Sequence, residues 1–137
     1  DVSFKSGDEE IHGYITLPAN FDPAKRYPLL AYLHGGPVYQ HSHEFDIVPR
    51  LYAAAGYAVL SVNPRGSSGR GFEFSRAIWA DWGNLDAQDI SAGITHAIDS
   101  GIADPDRIGV FGWSYGGILT DYMIASDKRI KAAVSGA

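Results

Sequence analysis

Apolar residues alternate with polar ones at the start of the chain and then gather into short unbroken runs. This change of pattern sets the expected architecture. Residues 2–5 and 11–17 read as two short strands around the turn Ser6-Gly7-Asp8. Residues 20–28, with Pro, Asp and Lys scattered through them, read as a loop. Leu29-Leu30-Ala31-Tyr32-Leu33 is a continuous apolar run that stops at Gly35-Gly36-Pro37, the pattern of a strand covered on both faces. Residues 57–62 and 108–111 repeat that pattern, and 130–134 form a last short strand. Residues 49–55, closed by Gly56, read as a helix. Leu85, Ile90, Ile94 and Ile98 recur at helical spacing, which predicts a helix over 86–98 with Gly101 as its stop. A further helix over 115–125 begins directly after Ser114. Strands alternating with helices predict an α/β domain over 1–137, with a mostly parallel sheet, helices on both faces and an antiparallel strand pair at the N-terminus.

Composition changes this picture little. The chain has 137 residues, 45% of them hydrophobic and 20% charged, which suits one globular domain with a real core. A formal charge of -5 gives no electrostatic footprint for nucleic acid or an anionic membrane surface. No apolar run is long enough to span a bilayer, and no signal-peptide pattern opens the chain. Cys is absent, so disulfides and thiolate metal sites are excluded, and a cytoplasmic setting is the expectation. The first residue is Asp1 rather than Met, which is expected of a piece cut from something longer.

The chemistry sits in Gly112-Trp113-Ser114-Tyr115-Gly116, a Gly-x-Ser-x-Gly pattern placed where a predicted strand turns directly into a predicted helix. Strand and helix pack so closely at such a turn that the residues two before and two after the serine must be small. The turn lifts the hydroxyl of Ser114 above the sheet, making it the candidate nucleophile, and the amide of Tyr115 is placed to donate to a developing oxyanion. His34-Gly35-Gly36-Pro37 closes an earlier buried strand at the same sheet edge, and the amide of Gly36 is the candidate second donor. No phosphate loop, metal-ligand cluster or cofactor fingerprint is found, so no cofactor and no metal are expected.

With Tyr27-Pro28 before a strand, Asn63-Pro64-Arg65-Gly66-Ser67 followed by Gly69 and Gly71, and Trp82-Gly83 with Asp86 and Asp89, these motifs extend over nearly the whole chain. In this order they resemble the catalytic domain of the prolyl oligopeptidase family, especially its acylaminoacyl-peptidase and dipeptidyl-peptidase branches. The resemblance implies an α/β-hydrolase fold, Ser114 as nucleophile, and the Tyr115 and Gly36 amides as the oxyanion hole. It implies peptides or acylated amino acids as substrates, with esters as easy surrogates.

The resemblance covers only the nucleophile-bearing half. In this fold the triad runs Ser, then Asp or Glu, then His. Only 23 residues follow Ser114; they include Asp121 and Asp127 but no His. The expected fold is therefore a truncated α/β-hydrolase, with weak activity toward activated esters. The alternatives are a catalytically silent, self-associating fragment, or a half-domain completed by a separate chain. His41 and His43, with Glu44 and Asp46 nearby, are the candidate surrogate bases, although polar loop histidines are the plainer reading. His34 reads as a structural residue beside the oxyanion loop, and His96 as a surface or capping residue. Arg65 is expected to tie its loop down through Asp81 or Glu73, and Asp86 and Asp89 to be helix-start acids favoured by the dipole. Phe72, Trp79 and Trp82 are expected to pack beneath the loop. A bare apolar strand at 130–137 predicts a homo-oligomer, formed through that edge or through an apolar face.

Overall fold

A computed structural model describes residues 1–137. In chain order the elements are β1 (Val2–Ser6), β2 (Glu9–Thr16), β3 (Tyr27–Leu33), α1 (Ile47–Ala54), β4 (Ala58–Asn63), α2 (Phe72–Arg76), α3 (Leu85–Asp99), β5 (Ala103–Trp113), α4 (Tyr115–Ser126) and β6 (Ile130–Gly136). The six strands form one sheet in the order β1-β2-β4-β3-β5-β6. β1 pairs antiparallel with β2, and β2 antiparallel with β4; from β4 through β3 and β5 to β6 the sheet is parallel. This is an α/β-hydrolase-like sheet with an antiparallel pair at one edge.

The alternation of side chains along the central strands assigns the faces. Leu29, Ala31 and Leu33 of β3, Leu60 and Val62 of β4, and Ile108 and Val110 of β5 point one way. There they form a core with Ile90 and Ile94 of α3 and Leu119 and Met123 of α4. Their neighbours point the other way: the Tyr32 ring stacks on Phe111 at 4.9 Å, and Tyr52 of α1 covers Phe111 at 4.9 Å. So α3 and α4 lie on one face and α1 on the other. Burial of both faces is why these strands read as unbroken apolar runs.

Two helices start where sequence pattern alone does not place them. The α1 helix opens two residues before 49, because the Asp46 carboxylate accepts from the amide of Val48 at 2.9 Å and caps the first turn. The α2 helix is five residues long and opens at Gly71, too short to show any period. It holds the turn after β4: Gly66 N–H donates to Phe74 O at 2.9 Å, and Ser75 Oγ donates to Ser67 O at 2.8 Å. The aromatic residues expected beneath this loop are mostly outside it. Trp79 and Phe72 are 84% and 71% exposed, and only Trp82 packs inward, its ring edge-on to Tyr115 at 5.1 Å.

Candidate active site

Ser114 stands between β5 and α4 with φ 59° and ψ -124°, a left-handed backbone that a residue with a Cβ rarely adopts. Such a conformation costs on the order of 1–3 kcal/mol and persists only where its surroundings over-determine it. They do so here. A Cβ on Gly112 would lie 2.4 Å from the backbone of Gly116, and one on Gly116 would lie 2.2 Å from the carbonyl oxygen of Leu33. The close crossing of strand and helix forces the sharp turn and leaves Ser114 exposed at its apex. Ser114 N–H is held by Gly136 O at 2.9 Å, and its carbonyl accepts from Gly117 and Ile118. Tyr115 is the first helical residue, so its N–H has no acceptor within the helix.

The turn after β3 runs alongside. A Cβ on Gly35 would sit 3.5 Å from Trp113 O and 3.7 Å from Ser114 Cβ, so the loop lies against the turn that carries Ser114. Gly36 has φ +125°, and a side chain there would meet Val38 N at 2.8 Å. Its N–H finds no backbone acceptor. His34 is buried beneath these glycines. Its Nδ1 lies 2.7 Å from Gly35 O and its Nε2 lies 3.0 Å from Ser67 Oγ. A carbonyl can only accept, so Nδ1 carries the hydrogen and the Ser67 hydroxyl donates to Nε2. Burial holds the His34 pKa below its ordinary value, which keeps the ring neutral.

The two histidines singled out as surrogate bases line the cavity that Gly35 and Trp113 also border, and each has a partner of its own there. His41 turns its Nε2 to the carbonyl of Tyr32 at 3.1 Å and packs its ring against Tyr32 and His34. Burial, reinforced by the neighbouring His34, pushes its pKa down to about 4. His43 is exposed and pairs with Asp1 at 2.8 Å. His96 stacks on Phe4, and His12 is exposed on β2. Asp127 pairs with Arg129 at 2.6 Å, and Asp121 is exposed on α4.

The acids opening α3 differ most from the sequence reading. Asp86 does lie in the first turn of α3, as a helix-start acid would, but both Asp86 and Asp89 are completely buried and held by specific partners. Asp86 accepts from the Tyr115 hydroxyl at 2.5 Å and from Gly83 N–H at 2.8 Å. Burial and the Asp86 carboxylate together raise the Tyr115 pKa far above its ordinary value. Asp89, rather than Asp81 or Glu73, is the partner of Arg65. It takes Nη2 at 2.6 Å, Nε at 3.0 Å and the Arg65 backbone N–H at 2.8 Å. A signal was available in the sequence: 86, 89/90, 93/94 and 97 fall on one helical stripe, so the two acids share the face that carries Ile90 and Ile94.

Beside the serine, on the α1 face of the sheet, opens a cavity of about 530 Å³. Gly35 and Trp113, the flanking residues of the site, line its near end, although Ser114 itself does not. Tyr14, Tyr32, Tyr39 and Phe45 give it aromatic walls, and Arg50 reaches it from α1. His, Asp and Glu side chains nowhere gather in the threes a metal ion needs. No helix is long and apolar enough to cross a membrane.

Known proteins resemble the chain in sequence and in fold. The chain is 42% identical over 127 residues to the uncharacterized peptidase YuxL of Bacillus subtilis, covering 91% of the chain and 19% of that protein. It is 38% identical over 122 residues to the acylamino-acid-releasing enzyme of Arabidopsis thaliana, covering 88% of the chain and 16% of that enzyme. A solved acylaminoacyl peptidase in complex with Z-Gly-Gly-Phe-chloromethyl ketone superposes with a TM-score of 0.92 at 34% identity, over 98% of this chain and 22% of that one. The chain thus spans about a fifth of the length of the relatives it matches. Residues 43–137 match the model of the prolyl oligopeptidase family. By its sequence and by its fold, the chain belongs to the prolyl oligopeptidase family of peptidases.

Proposed function

We propose that Ser114 is the nucleophile of a serine peptidase that cleaves peptides or N-acylated amino acids, with the amides of Tyr115 and Gly36 as its oxyanion hole. The observation that carries this reading is the left-handed backbone of Ser114 at an exposed strand-to-helix turn, with the Gly35–Gly36 turn packed against it. In the reaction the Ser114 oxygen attacks the acyl carbon and the carbonyl electrons move onto oxygen. The two amides donate to that oxyanion; its collapse breaks the C–N bond, the base that took the Ser114 proton gives it to the departing amine, and an acyl-serine is left for water to hydrolyse. The aromatic cavity beside Trp113 suits a bulky apolar group next to the scissile bond. That the acylaminoacyl peptidase was captured with a peptidyl chloromethyl ketone ending in Phe is in keeping with this preference.

The Ser114 proton must pass to a base, and each of the five histidines here is exposed or engaged elsewhere. A histidine–carboxylate pair from outside these residues, in the same polypeptide or in a separate chain, completes the site. Without it, binding and the oxyanion hole sustain a rate on the order of 10³–10⁴ over water, enough for activated esters and too little for efficient peptide cleavage.

Incubation with a fluorophosphonate probe, followed by intact mass, tests the reading. A single adduct that Ser114→Ala abolishes is the expected result. A folded chain that gains no adduct would show that the turn survives as architecture alone. That outcome favours the second reading, a catalytically silent module that self-associates, for which the exposed edge strand β6 speaks.

A further inference from the structure

We propose that the first two turns of α3 are a positioning element for catalysis, in which Asp86 and Asp89 set the two oxyanion donors relative to each other. The proposal rests on the reading of Tyr115 and Gly36 as those donors. The two carboxylates are one helical turn apart, both wholly buried and both fully bonded. Each ends on one side of the nucleophile by a separate route.

Asp86 acts through a side chain. Its Oδ2 holds the Tyr115 hydroxyl at 2.5 Å, while the backbone N–H of the same tyrosine opens α4. The ring is clamped edge-on by Trp82, and Gly83, which donates to the other oxygen of Asp86, fixes the loop carrying that tryptophan. A phenol anchored at its far end cannot roll, so the amide at its near end keeps its direction.

Asp89 acts through a loop. Its bonds to the Arg65 guanidinium and to the Arg65 amide fix both the side chain and the backbone of the turn after β4. Two residues on, the buried Ser67 donates its hydroxyl to His34 Nε2. That bond leaves the ring hydrogen on Nδ1, where it donates to Gly35 O. With the Gly35 carbonyl drawn toward the imidazole, the N–H of the same peptide unit, that of Gly36, points the opposite way. Ser67 Oγ is thus the control point of the second donor. An ordinary structural role would need Ser67 only to fill space, whereas this role needs its hydroxyl.

The test compares Ser67→Ala, Ser67→Thr and Tyr115→Phe with the unaltered chain. Three readouts are followed: the ring-nitrogen NMR spectrum of His34, hydrogen exchange at the amides of Gly36 and Tyr115, and the rate of Ser114 labelling by a fluorophosphonate. In Ser67→Ala, His34 is expected to lose its single Nδ1–H form, Gly36 exchange to quicken about tenfold or more, and labelling to slow by about tenfold to a hundredfold, short of the loss of a whole donor. Ser67→Thr restores all three. Tyr115→Phe is expected to loosen the Tyr115 amide and leave the His34 spectrum unchanged. His34 and Gly36 signals in Ser67→Ala that match the unaltered chain would overturn the proposal, and so would labelling that proceeds at the original rate. Should Tyr115→Phe fail to fold, the serine pair decides alone. Should the unaltered chain not label at all, a response of His34 and Gly36 to Ser67 still upholds the positioning role, and only the catalytic reading of Ser114 falls.

Discussion

His41 is held neutral by its place beneath the loop after β3. Burial and the nearby His34 lower its pKa from 6.5 to about 4, against the opposing pull of the Tyr32 carbonyl and Asp46. An unfolded chain takes up this proton near the ordinary value, while the folded chain takes it up only near 4. The contribution to stability is therefore complete above about pH 6.5, shrinks as the pH falls, and is gone once the folded-state value is passed. Its size is about 3 kcal/mol. His34 is shifted in the same direction and adds to the trend. Urea unfolding at pH 7 and pH 4.5 should show the loss, and His41→Gln, which keeps a donor for Tyr32 O, should reduce it. A variant with the full pH dependence would show that other groups carry it. At this scale the sequence is least legible. Ser114 stands out as a candidate because a motif and its strand–helix setting coincide, and Gly36 because paired glycines end a buried strand. Asp86 and Asp89 read as ordinary first-turn acids, since a dipole account satisfies them without any partner, and their partners lie 29 and 24 positions away in the chain.

The strands and the long helices are legible because burial dictates their pattern. β3, β4 and the core of β5 are covered on both faces and so are mostly apolar, with Ser61 and Asn63 of β4 the polar exceptions, while α3 keeps its period over 15 residues. What escapes is local chemistry without periodicity: the five-residue α2, the Asp46 cap of α1, and the start of β5, where Asp104-Pro105-Asp106 looks like a breaker yet lies within the strand. The close approach of α4 to the sheet at Gly116 yields a direct prediction. In Gly116→Ala the new methyl group would lie 2.2 Å from a backbone carbonyl oxygen of β3, which cannot swing aside as a flexible side chain can. The helix has to move off the sheet, at a cost of about 3 kcal/mol or more. A melting temperature lowered by about 10 °C is expected, together with loss of Ser114 labelling. A melting curve equal to that of the unaltered chain would mean that α4 is not pinned where the structure shows it.

At the scale of residues 1–137 the sheet has β1 at one edge and β6 at the other. β1 and β2 cap one side as a short antiparallel pair, whereas β6 ends the parallel side with residues 131–135 exposed. An edge strand carries a row of unpaired N–H and C=O groups, and natural sheets blunt such edges with charge, proline or a covering element. β6 carries one lysine, Lys131, and then Ala132, Ala133 and Val134, the last 68% exposed, with Trp113 of β5 67% exposed nearby. One charge on seven residues is weak protection for a flat apolar edge. The 137-residue chain is therefore expected to self-associate as its concentration rises, two copies of β6 meeting antiparallel across a twofold axis. Light scattering on a dilution series should give a mass that climbs toward the dimer or beyond, and Val134→Lys should return it to the monomer. A mass that stays monomeric at high concentration would reject pairing through β6. Association that persists in Val134→Lys would instead move the interface to the aromatic cavity on the α1 face, where Tyr39 and Phe45 are the exposed apolar groups beside the site.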